Sequence, residues 1–175
     1  MMYRGLRLFH GSQCGFTILE MLVTLVLIGF ISLGASMASA QVLKETTRNT
    51  DYVTASRQAM NAIFWISRDA QMAQTILGDD VFPEAGALVF TWTTWENQHE
   101  QVTYSLADGE LRRRYSNDGE PVETIVAECI NPDPNLTNCV SDGGVLSLMI
   151  TASVGEGSRA VSVTRTHGIA SRPNL

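Results

Sequence analysis

Between Phe16 and Leu43 the chain carries a single charged residue, Glu20. About 20 apolar residues in a helix span a bilayer core of roughly 30 Å, and residues 16–40 exceed that length. A helix on the surface of a soluble domain normally keeps a polar face, and this run has almost none. Arg4 and Arg7 precede it, and no further cation occurs until Lys44. The asymmetry places residues 1–15 in the cytoplasm and the chain beyond Lys44 on the far side of the membrane.

Three arrangements fit such a run. It could be a secretory signal peptide, since Ala38-Ser39-Ala40 has the small-x-small form that precedes cleavage. The run is longer than the usual signal core, however, and holds an acid. It could be a plain anchor, but that leaves Glu20 without a purpose, because a lone carboxylate in hydrocarbon costs several kcal/mol. The third arrangement uses the acid. Gly15, Phe16, Thr17 and Glu20, followed by the apolar stretch MLVTL, resemble the N-terminus of type IV pilins and type II secretion pseudopilins. The family pattern is Phe-Thr-Leu-Ile-Glu, and here it reads Phe-Thr-Ile-Leu-Glu.

The resemblance implies cleavage after Gly15 by a prepilin peptidase on the cytoplasmic side and N-methylation of Phe16. Cys14 leaves with the leader. Cutting ahead of the apolar run keeps the anchor and creates a cation one helical turn from Glu20. In the family this carboxylate meets the N-terminal amine of a neighbouring subunit, a pairing favoured over either charge alone in low dielectric. The implied partners are the peptidase, other pilins or minor pseudopilins, and an inner-membrane assembly platform driven by a cytoplasmic ATPase. One departure is the lack of any proline before Pro83, whereas major pilins often carry one near the position of Met37. That departure suggests a minor subunit.

After Ala40 the chain turns polar without a helix breaker. Ala59, Ile63, Ile66, Ala70, Ala73 and Leu77 recur at spacings of four and three, which is one face of an amphipathic helix. Met60 and Phe64 widen this stripe, while Arg57, Arg68 and Asp69 fall largely outside it. Gly78 reads as the helix stop, with Pro83 beyond. A helix over residues 16–77 would be about 90 Å long. Past Pro83 the apolar period becomes two, over 88–93, 102–106, 111–115, 146–153 and 161–163. Asp108-Gly109 reads as a hairpin turn. The fold class expected is therefore α+β, with an antiparallel head covered by the amphipathic helix. The expected organisation is a leader over 1–15, a transmembrane or filament-core helix over 16–40, an amphipathic helix over 41–78 and a β head over 79–175.

A second, looser resemblance lies in the head. QAMNAIFWISRDAQMAQ (58–74) and VTYSLADGELRRR (102–114) look like the corresponding regions of J-type minor pseudopilins.

Cys129 and Cys139 enclose nine residues including Pro132 and Pro134, and outside the cytoplasm a disulfide between them is the natural reading. Asn135-Leu136-Thr137 fits a glycosylation sequon. Asn131, Asp133, Asn135 and Asp142 could offer oxygens to calcium, but their spacing matches no EF-hand, so no cofactor or metal is assigned. Arg112, Arg113 and Arg114 form a basic cluster that could contact a partner or nucleic acid, with Trp92, Trp95 and Tyr104 near enough to stack on bases. The charge balance disfavours nucleic acid. The chain has a formal charge of −6, and loss of residues 1–15 leaves 10 basic against 18 acidic residues. His10, His99 and His167 are scattered, and no phosphate loop or nucleophile elbow occurs, so the pattern is not that of an enzyme.

The reading is a membrane-anchored minor pilin or pseudopilin with its head in the periplasm or outside the cell. It would assemble into a pseudopilus or pilus near the tip. A DNA-binding or adhesive tip subunit, or a soluble domain released after Ala40, are the competing readings.

Overall fold

A computed structural model describes residues 17–78, 82–83, 86–117, 119–142 and 145–170. Leader residues 1–15 and Phe16 lie outside the described residues. The chain divides into two compact units, residues 1–45 and 46–175. One helix, α1 (Ile18–Met72), contributes to both.

In the first unit the described chain is helix alone. Its side chains are exposed from Ile18 to Leu43, and its most apolar 18-residue window has a mean hydropathy of 2.3. Length and composition suffice to cross a membrane. The hydroxyls within it are satisfied locally: Thr24 donates to the Met21 carbonyl, Ser36 to Ser32 and Ser39 to Ala35. Such internal bonds are what a helix needs where water is absent. Ala38–Ala40 is helical, with no break on either side.

In the second unit the rest of α1 lies on two antiparallel sheets. Strands β1 (Thr75–Leu77), β2 (Leu88–Thr93), β3 (His99–Ala107), β4 (Glu110–Asn117) and β5 (Val122–Ala127) form a meander in chain order. Strands β6 (Asn138–Asp142), β7 (Val145–Val154) and β8 (Val161–Ala170) form the second sheet. The β3–β4 turn is the Asp108-Gly109 pair, with φ of +53° and +78°, as a two-residue primed turn requires. Ile130 pairs with Ala152 and donates its N–H to the Gly109 carbonyl, joining the turn of one sheet to the other.

The core combines small helix residues with large sheet residues. Ala55, Ala59, Ala62, Ile66 and Ala70 are fully buried, as are Leu88, Phe90, Tyr104 and Leu111 from the first sheet and Leu148 and Ile150 from β7. The fold class is the α+β arrangement that the alternating patterns imply.

Three details differ from the sequence reading. First, the buried face of α1 is rotated. Met60 and Phe64 are about 60 % exposed, whereas Ala55 and Ala62 are buried. Alanine was the misleading signal, since it is compatible with either face. Second, α1 ends at Met72 rather than at Gly78. Gln74 donates its N–H to Thr91, and Thr75-Ile76-Leu77 pairs with β2, leaving Leu77 exposed. Gly78 instead ends that strand at φ +79°, where a Cβ would lie 2.2 Å from the Ala87 carbonyl oxygen. Third, no disulfide joins Cys129 to Cys139. The Cys129 carbonyl accepts the Ser153 N–H, while Cys139 is paired with Leu148 on the same edge of β7. Five positions along a strand is about 17 Å, well beyond the Cα separation of about 4.4–6.8 Å that a disulfide spans. The intervening loop bulges out of that edge, so nearness in sequence does not become nearness in space.

The rotated face makes a direct prediction. Ala62→Leu should destabilise the protein by about 1–3 kcal/mol through overpacking, and Met60→Ser should change stability by less than about 0.5 kcal/mol, both read from thermal unfolding. The opposite order would restore the stripe widened by Met60 and Phe64.

Candidate assembly and anchoring sites

The first site is the start of α1. The Thr17 hydroxyl accepts the Glu20 backbone N–H at 3.3 Å, and the Thr17 carbonyl accepts the N–H groups of Glu20 and Met21 at 3.0 and 3.2 Å. Thr17 is thus the N-cap and Glu20 the third helical residue, the positions of threonine and acid in a capping box. The acid also faces the positive end of the helix dipole. Glu20 is exposed and forms no ion pair among the described residues. Gly15 and Phe16, the expected processing residues, lie outside the described residues.

The second site is in the head. Asp69 descends from α1 with no exposure to solvent. Arg113 on β4 meets it with two bonds, Nε to Oδ2 at 2.7 Å and Nη2 to Oδ1 at 3.0 Å. Tyr104, the β3 residue paired with Arg113, donates its hydroxyl to Oδ2 at 2.5 Å. The guanidinium also lies between two rings, 5.4 Å from the centroid of Trp65 and 5.6 Å from that of Tyr115. Burial, and then the adjacent Asp69 charge, push the Tyr104 phenol above its usual range, so it remains a donor. The hydrogen bond to Asp69 raises the Arg113 guanidinium further, so it stays charged. Three donors thus reach the two carboxylate oxygens, two on Oδ2 and one on Oδ1, and a buried charge is tolerated when it is paired and hydrogen-bonded in this way.

Sequence reasoning placed Asp69 outside the buried face, and the structure corrects this. Ala62, Ile66, Asp69 and Ala73 recur at spacings of four, three and four, and all four are buried. A charged residue in phase with an apolar period was the available signal.

The arginine cluster does not act as one patch. Arg113 faces α1. Arg112, on the other face, bonds Glu110 at 2.8 Å and Glu123 at 3.2 Å. Arg114 is exposed. The aromatic set is dispersed too: Tyr104 is fully buried, Trp92 packs partly into the core, and Trp95 stands 93 % exposed in the β2–β3 turn. Two of the three cations are thus met by carboxylates on opposite faces of β4, and one of the three rings is sealed inside.

In the loop considered for calcium, the Asn131 side-chain oxygen accepts the Asp133 N–H, and Asp133 Oδ1 accepts both the backbone and side-chain N–H groups of Asn135. These are local turn bonds. Thr137 of the sequon is fully buried, and its hydroxyl accepts the Thr151 N–H. Among the described residues no group of three His, Cys, Asp or Glu side chains could hold a metal.

Residues 11–36 match the model of the prokaryotic N-terminal methylation motif. The motif marks a pilin- or pseudopilin-like substrate of prepilin peptidase. It covers the leader end and the first turns of α1, the segment bearing Thr17 and Glu20, and leaves the head unmatched. Comparison with curated proteins and with solved structures returns no match for the chain.

Arg113→Met, which strands Asp69, should cost about 3–5 kcal/mol, and Tyr104→Phe about 1–3 kcal/mol. Arg112→Ala, which breaks only exposed pairs, should leave the unfolding midpoint in place. A destabilisation by Arg112→Ala as large as that by Arg113→Met would refute the division of the cluster.

Proposed function

We propose that the chain is a minor subunit of a type II secretion pseudopilus or a type IV pilus, made as a single-pass precursor and assembled near the fibre tip. Prepilin peptidase cuts after Gly15 and the new terminus at Phe16 is methylated. The N-terminus faces the cytoplasm and the head faces outward. In the fibre, Glu20 receives the terminal amine of a neighbour. The role is mechanical, and the head contributes lateral contacts to other pilins while the assembly platform drives extrusion.

The observation that carries this reading is the methylation motif lying directly on the apolar first part of α1, where Glu20 is the one carboxylate before Lys44 and has no ion pair among the described residues. The unbroken helix through Ala38–Ala40 also argues against release of a soluble domain there. The division of Arg112, Arg113 and Arg114 argues against a DNA-binding tip.

Intact-mass analysis and N-terminal sequencing of the mature protein test it. The expected terminus is N-methylated Phe16, with Gly15→Arg blocking maturation. Retention of residues 1–15, or a terminus at Gln41, would sink the reading. Glu20→Ala should mature normally yet enter sheared fibres at least tenfold less than wild type.

A further inference from the structure

The head carries an open groove of about 490 Å³ between α1 and β8. Met60 and Phe64 form its apolar wall and stand about 60 % exposed. Arg68, one turn past Phe64 on α1, and Arg165 and His167 on β8 also line it. On β8, Val163 and Ile169 are buried, but Arg165 and His167, which alternate onto the same strand face, are exposed. Their partners on β7, Ile150 and Leu148, are fully buried. The helix therefore covers the β7 part of this sheet and leaves the middle of β8 open.

The groove brings two cations beside exposed apolar side chains in an acidic head. Residues 46–175 contain nine arginines, no lysine and 16 acids. Arg112 and Arg113 meet carboxylates, but Arg68 and Arg165 do not among the described residues. Arg68 lies 5.5 Å over the Trp65 ring, and Arg165 donates to the Ser56 hydroxyl at 3.1 Å. Two cations in an acidic head thus lie beside an apolar wall with no carboxylate partner among the described residues. Ser67, which also lines the groove, has a buried hydroxyl with no hydrogen-bond partner among the described residues.

We infer that this groove is the docking site for an acidic amphipathic helix of another protein subunit. Met60, Phe64 and Arg68 repeat every four residues, a ridge about 12 Å long and two turns deep. A helix with apolar residues at i and i+4 and a carboxylate one turn further on matches it in period and in charge. The carboxylate sits between Arg68 and Arg165, where the apolar wall strengthens the pairing. An anionic bilayer is the poorer occupant, because the head around the groove is itself negative. The inference concerns the head alone and does not depend on how the N-terminus is processed.

The test uses the full chain in detergent micelles and a phage-displayed library of helix-forming 16-residue peptides. The expected result is enrichment of peptides with Leu, Ile or Phe at i and i+4 followed by Asp or Glu. Their affinity should fall at least tenfold for Phe64→Ser and for Arg68→Glu combined with Arg165→Glu, with the circular-dichroism melting curves unchanged. Met60→Ser serves as the second apolar variant. No enrichment, enrichment of basic peptides, or binding unmoved by these substitutions would overturn the proposal. So would a Phe64-dependent dimer in sedimentation without peptide binding, which assigns the groove to a second copy. Phosphatidylglycerol-vesicle binding that depends on Arg68, again without peptide binding, would assign it to a membrane and also overturn it.

Discussion

A carboxylate with no access to water joins the helix of this protein to its sheet. Asp69 has no solvent exposure, and its charge is tolerated only because Arg113 and Tyr104 reach it together from neighbouring strands. The three residues are far apart in sequence and satisfy one another only when α1, β3 and β4 are in register. Removing any one leaves a buried polar group without its partner. The interaction fixes both the rotation of α1 about its axis and its position along the strands, which apolar contacts through alanine specify weakly. Trp65, one turn earlier on α1, places its ring 5.4 Å from the guanidinium.

Near its start the same helix bears another carboxylate in a contrasting situation. Glu20 sits in the first turn, exposed and without an ion pair among the described residues, on a segment apolar enough for lipid. The head answers its buried acid from within the chain. The anchor offers its acid outward, where a cation from a neighbour would complete it. The methylation motif covers the segment in which that cation would be made.

Much of the fold was readable because its signals are periodic and local. The β2, β3, β4, β7 and β8 patterns alternate apolar and polar residues, and Asp108-Gly109 names its own turn. The short strands were not readable. Thr75–Leu77 continues an apparent helical period and becomes strand only because the edge of β2 can pair with it. Val122–Ala127 and Asn138–Asp142 alternate poorly, since most of their residues are exposed. The cysteine pairing failed for a related reason. Spacing suggested a closed loop, but the strand register carries the two residues to distant positions along β7.

The sequence by itself determined the membrane-length helix, the processing motif and the lone acid at its head, because each depends on composition and on neighbours within a turn or two. It also determined that an antiparallel head follows. Only the tertiary structure decided which face of α1 is buried, that Asp69 rather than Arg68 turns inward, and that the consecutive Arg112 and Arg113 meet different carboxylates on opposite faces of β4. Those outcomes depend on which strand lies opposite which helical turn, a relation among residues 35 to 44 positions apart that no local period encodes.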